Sequence, residues 1–180
     1  LEKENIVKIL KTYDNIFGLS DGGIARSDED IEYAADVILK SLKERCGIDH
    51  VVLTVVAEQD RPQSTVINWR EHPNVVSDEE IIEMVHFAQS LGLKVILKPM
   101  VNVSDGTWRA HINFFDTDVP CEPKWSEWFA SYNEFILHYA KLAEETECSM
   151  FVVGCEMVNA DRREKEWRDL INEVRKLYSG

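Results

Sequence analysis

The sequence is poor in positive charge, in cysteine and in glycine, and each shortage excludes something. There are 20 Lys and Arg against 33 Asp and Glu, a formal charge of −13. Such a chain repels phosphate backbones unless its cations cluster, and they do not, so neither nucleic acid nor an anionic membrane surface is expected as a partner. The 4 cysteines, Cys46, Cys121, Cys148 and Cys155, form no C-x-x-C pair. Cys148 and Cys155 flank a strand-like run and suit buried free thiols better than a bridge, which points to a reducing compartment and a cytoplasmic protein. Five histidines add no recurring ligand spacing, so separate core and surface residues are expected rather than a zinc site. No apolar run approaches the roughly 20 residues of a membrane span. Residues 1–13 are charged and periodic, unlike a signal peptide, and with no initiator Met the chain reads as trimmed there. No linker, low-complexity tract or internal repeat breaks residues 1–180, which read as a single domain.

What is present is an ordinary core-forming composition, 44% hydrophobic and 29% charged, with a hydrophobic period that switches regularly. Ile6, Ile9, Leu10 and Tyr13 share a helical face, and residues 15–19 read as a short strand. Ser27 begins a helix whose apolar stripe runs from Ile31 to Leu42, stopping near Cys46 and Gly47. Residues 50–57 form a β-branched run suited to a strand buried on both faces. Ser77 and Glu80 have the spacing of a capping box, followed by a helix over 78–91. Residues 94–101 and 149–154 read as further strands. Helices are expected over 126–145 and 161–177.

Strand–helix alternation with apolar strands implies an α/β fold, a parallel sheet covered by helices. The segments following the strands are long and carry Trp, Asn, Arg and His, whereas those preceding them are short. Function is therefore expected at the carboxyl ends of the strands. Two architectures fit: a small doubly wound sheet, or the first four β-α units of a (β/α)8 TIM barrel, which needs about 250 residues in full. The turn after the first expected strand, Ser20 to Ile24, has two glycines but not the G-x-G-x-x-G spacing of dinucleotide folds.

Glu156 follows the last strand directly. At the mouth of a barrel, desolvation would raise its pKa, as a general acid requires; a Glu also suits the start of the next helix. Lys98 lies inside an apolar run, where it must either reach a carboxylate or substrate hydroxyls, or snorkel outward. Asn102 ends the same strand. Trp69 and Trp108 stand in the long loops, where an indole face can stack on a sugar ring. Trp128 and Trp167 read as packing, and Trp125 as either. Glu58, Gln59 and Asp21 are further polar groups at the active-end rim. Asp105 and Asp116 read as ordinary loop aspartates, and His138 as structural.

Several motifs together resemble glycoside hydrolase family 113. They are Ser77 to Glu80, residues 88–102 ending in Lys98, Pro99, Met100, Val101 and Asn102, and residues 125–132. His138 to Ala140, Val153 to Met157, residues 162–168 and Tyr178 to Gly180 complete the set. The resemblance implies a (β/α)8 barrel and a retaining glycosidase acting on β-1,4-mannan or manno-oligosaccharides, with xylan or another β-glycan as the alternative substrate. It implies Glu156 as general acid/base, with Lys98, Asn102, Trp69 and Trp108 lining sugar subsites. The nucleophile would come from after the seventh strand, beyond Gly180, in the remainder of the barrel from the same gene. No metal or organic cofactor is called for. Cys155 stands where most of the wider clan has Asn, so the substrate 2-hydroxyl needs another partner. A non-catalytic carbohydrate-binding or interaction protein on a half-barrel scaffold is the alternative, since aromatics without a second carboxylate would look the same.

Overall fold

In the computed structural model, residues 39–70 and 75–180 are described. The expected strand over 15–19, the helix start at Ser27 and Asp21 lie outside them. Helix α1, Lys40–Cys46, ends at Gly47, whose φ of 67° is the left-handed cap that glycine supplies without penalty. Strand β1, His50–Gln59, follows. Helix α2, Asp78–Ser90, starts as its sequence dictates. The Ser77 Oγ accepts the Glu80 N–H at 3.2 Å, and the Glu80 carboxylate accepts the Ser77 N–H at 2.8 Å.

Strand β2, Lys94–Val103, pairs in parallel with β1 along its whole length, from His50 opposite Lys94 to Gln59 opposite Val103. A 3-10 turn, Arg109–His111, sits in the following loop, and helix α3, Trp125–Glu145, packs back across the sheet. Strand β3, Met150–Phe151, pairs with Ile96 and Leu97 of β2, giving the order β1-β2-β3, all parallel. Helix α4, Glu164–Leu177, closes the chain against α3.

The two faces of the sheet differ. Val51, Leu53 and Val95 meet Met84 and Ala88 of α2. At the same face, the Trp128 indole of α3 donates to Gln59 Oε1 at 2.9 Å. These odd-numbered positions therefore face the helices. The even-numbered positions of β1 and β2 face the other way, and burial there is uneven: Thr54 and Glu58 are buried, whereas from Val95 onward β2 alternates between buried and half-buried. A strand buried on both faces was expected for residues 50–57; Thr54 is buried on the second face, but Val52 is 39% exposed. The last strand was expected over 149–154 and is only two residues long. The Ser149 and Val152 N–H groups still reach Val95 O and Leu97 O, after which the chain turns away toward the site.

The core on the helix side is aromatic. Trp128 stacks on Tyr132 with centroids 4.6 Å apart, and Trp125, Phe129 and Phe135 pack around them. This cluster also aims the chain after β3. The buried Tyr132 hydroxyl donates to Val153 O at 3.0 Å. Beside it, a Cβ added at Gly154 would lie 3.0 Å from Trp167 Cη2, so any other residue there would press on the indole. Cys155 and Glu156 come next.

Candidate active site

Glu156 sits just past β3 with φ of 57°, a left-handed conformation that costs a non-glycine residue energy and persists only when its surroundings hold it. Its side chain is bonded from the loop after β2. The Trp108 indole N–H donates to Glu156 Oε2 at 2.9 Å, and Arg109 Nη1 donates to the same oxygen at 2.6 Å. Arg109 is itself fixed to the end of β2: its Nε donates to Val101 O at 2.7 Å and its Nη2 to Asn102 Oδ1 at 2.5 Å.

Asn102 lies opposite Glu58 in the strand register, so the ends of β1 and β2 contribute adjacent polar side chains. Glu58 is buried and accepts the Ser104 hydroxyl at 2.9 Å, and its backbone pairs with Asn68 in an isolated antiparallel bridge. Lys98, four residues before Asn102 on the same inward-facing row, is half-buried opposite Thr54. Its charge acts on Glu156.

The electrostatics of Glu156 run against expectation. Its side chain is 47% exposed. The Trp108 hydrogen bond holds the carboxyl below the usual glutamate range, Arg109 and Lys98 push the same way, and partial desolvation opposes them without prevailing. The net rise in pKa expected from desolvation does not appear here, because the Trp108 bond, then Arg109 and Lys98, outweigh it on a carboxylate that is half in solvent.

The loop carrying Trp108 and Arg109 is clamped to the segment carrying Glu156. Asn159 Nδ2 donates to Ala110 O at 2.8 Å, and Arg162 donates to Asp116 Oδ1 and Asn113 Oδ1, each at 2.8 Å. Asp116 is thus a clamp residue, while Asp105 closes its own turn by accepting the Thr107 N–H at 2.8 Å.

Of the residues singled out from sequence, Glu156, Trp108, Lys98 and Asn102 come together. Trp108 is 52% exposed, with the His111 ring edge-on at 6.0 Å. Trp69 does not join them. It is 8% exposed, with its ring 4.6 Å from His138 and flanked by Phe135 and Tyr139, and with the Arg70 guanidinium 4.1 Å from its centroid. No face remains for a sugar, so Trp69 is a packing residue and its place as a stacking platform is corrected. His138 bonds Asp78 at 2.9 Å and is structural, as read. Gln59 and Trp128 satisfy one another in the core.

Sequence reasoning did not single out Arg109. The available signal was an arginine beside a loop tryptophan, seven residues past Asn102, in an acidic chain. Among the described residues no group of three His, Cys, Asp or Glu is placed to hold a metal ion, and no helix is long and apolar enough to cross a membrane.

Comparison with known proteins gives this site a family. The model of Glycoside Hydrolase Family 113 matches residues 25–180. A solved GH113 β-1,4-mannanase and a complex structure of a GH113 β-1,4-mannanase are each 55% identical, with TM-score 0.79, covering 81% of this chain and 47% of theirs. The GH113 β-mannanase from Alicyclobacillus acidocaldarius, in complex with ManMIm, is 40% identical with TM-score 0.76, covering 86% of this chain and 47% of its own. The chain thus spans about half the length of these structures. No curated protein matches it. A parallel sheet with its polar residues at the strand ends, and a family match over nearly its whole length, establish that this chain belongs to glycoside hydrolase family 113.

Proposed function

We propose that the barrel containing this chain is a retaining glycosidase of β-1,4-mannan or manno-oligosaccharides, with Glu156 as its general acid/base. The observation that carries this is Glu156 itself: a carboxylate past the end of β3, on a residue with left-handed backbone, with one oxygen bonded by two donors and about half of its side chain in solvent. The mannan assignment draws on the solved relatives, β-1,4-mannanases by name, at 40% and 55% identity.

The mechanism is double displacement. Glu156 gives its proton to the glycosidic oxygen as the bond to the anomeric carbon breaks, and a second carboxylate attacks that carbon from the opposite face. Glu156, now a base, takes a proton from water, which then displaces the second carboxylate. The two carboxyls belong about 5–5.5 Å apart. We assign the second one to sequence beyond Gly180, in the remainder of the barrel. At that distance its negative charge raises the Glu156 pKa, opposing Arg109 and Lys98 and bringing the acid form into the working range. Lys98, the Asn102 amide NH2 and the half-exposed Trp108 ring line the sugar subsites. The reaction requires no metal or organic cofactor, and the free-thiol reading favours a cytoplasmic location.

The test is sugar release from a panel of β-1,4-glycans by the complete enzyme, together with its Glu156→Ala variant. The variant should lose about 10²–10⁴-fold on mannan. It should lose less in the glycosylation step of an aryl β-mannoside, and azide should restore turnover. Equal losses on both substrates with no azide rescue would remove Glu156 from the role. Release from xylan but not mannan would replace the substrate.

A further inference from the structure

Two donors from one loop converge on one oxygen of Glu156. Trp108 Nε1 and Arg109 Nη1 both bond Oε2. The other two arms of the guanidinium are spent on Val101 O and Asn102 Oδ1, so Arg109 is pinned at the end of β2 rather than free to follow the carboxylate. We propose that Arg109 and Trp108 are positioning residues: they hold Oε2 of Glu156, so that Oε1 is the oxygen that exchanges the proton with the glycosidic oxygen.

A proton on Oε2 would set an O–H against two N–H groups already aimed at that atom. A proton on Oε1 leaves both bonds intact in the acid form and in the base form. Rotation of the carboxyl group exchanges the names of its oxygens and leaves one held and one free. The carboxyl plane is then fixed in both halves of the reaction. In the first, the Oε1–H bond breaks, an O–H bond forms on the leaving oxygen, and that oxygen keeps the electron pair of its bond to the anomeric carbon as the second carboxylate bonds there. In the second, Oε1 takes the proton of the attacking water. The charged groups acting on Glu156 are Arg109 from the loop and Lys98 from β2, with the second carboxylate opposite them in the complete site.

The inference rests on the proposed role of Glu156, and the experiment separates the two. In the complete enzyme, Arg109→Met, Arg109→Lys, Trp108→Phe and Glu156→Ala are compared on a manno-oligosaccharide and on an aryl β-mannoside, with folding checked by circular dichroism. Arg109→Met should lower kcat/KM on the oligosaccharide by about 10–100-fold, the scale of a misplaced catalytic group. The aryl glycoside should lose less. The alkaline limb of its kcat/KM profile should move up by about one pH unit, because a neighbouring cation has gone. Trp108→Phe keeps the ring and loses the N–H, and should move the limb the same way. Arg109→Lys keeps the charge without the fork, so its limb should stay near wild type while activity is not restored.

Unmoved limbs with equal losses on both substrates in Arg109→Met and Trp108→Phe would overturn the positioning role. So would full activity in Arg109→Lys. If those results came while Glu156→Ala still behaved as a missing acid/base, only this inference would fall. If Glu156→Ala showed no leaving-group dependence, the functional assignment would fall with it.

Discussion

Trp69 and Trp108 carry the same side chain in opposite settings, and the setting decides what each does. Trp108 is half exposed, with its N–H bonded to Glu156; Trp69 is enclosed by Phe135, His138 and Tyr139. In the complete enzyme, Trp108→Ala should weaken mannotetraose binding by up to about tenfold, the scale of one ring contact of roughly 1 kcal/mol. Trp69→Ala should cost about 3–5 kcal/mol of stability and leave the affinity of the folded fraction unchanged. Calorimetric titration beside thermal unfolding reads both, and unchanged binding in Trp108→Ala would end its subsite role. Glu156 yields a second expectation at this scale. Its carboxyl is held low first by the Trp108 bond and then by Arg109. These contacts therefore add stability above the ordinary carboxylate pKa, and that stability is lost as pH falls through the lowered value. With the second carboxylate of the complete barrel replaced by its amide, NMR titration should find Glu156 below the usual glutamate range. A value above that range would show that burial, not Trp108 and Arg109, governs it.

Elements read well wherever their signal is local. Ser77 and Glu80 announce α2, and both bonds of the box form, so Ser77→Ala should cost about 1 kcal/mol, seen as a lower denaturant midpoint at unchanged slope. A midpoint equal to wild type would mean that the helix start is held by packing instead. Gly47 likewise ends α1 where the sequence puts it. The misreadings arise where structure depends on distant partners. Residues 149–154 have strand composition throughout, but only Met150 and Phe151 find β2 opposite them, and Tyr132 and Trp167 draw the rest toward the site. The expected start of α4 at Asp161 shifts to Glu164, because the residues before it form turns that return N–H groups to Met157 and Ala160 carbonyls. The position of Glu156 just past a strand was legible because it is a local fact. Arg109 was not, because its importance lies in contacts across the loop to Val101, Asn102 and Glu156, and nothing in its immediate neighbours signals them. Trp69 misled for the same reason: a loop tryptophan and a buried one look alike until α3 lies over it.

At the scale of the molecule, the inward face of the sheet is an unfinished core. Val52, Ile96 and Met150 stand side by side in the register of β1, β2 and β3 and form one layer of that face. Val52 is 39% and Met150 54% exposed, although both are apolar. In a closed barrel such layers are filled by side chains from the other strands. One layer up stand Thr54 and Lys98, then the apolar Val56 and Met100, and at the rim the face carries the polar pair Glu58 and Asn102. The helix-facing side, by contrast, is already packed by α2 and α3. Apolar area left open on one face of a sheet favours association with whatever can cover it. Expressed alone, residues 1–180 should therefore bind an apolar dye, self-associate, and release no sugar from a β-mannoside, since Glu156 would have no second carboxylate opposite it. Adding the remaining half of the barrel should suppress dye binding and restore hydrolysis together, because one docking event covers the face and completes the site. A monodisperse segment with low dye binding and the turnover of the complete enzyme would overturn both the half-barrel reading and the two-carboxylate mechanism.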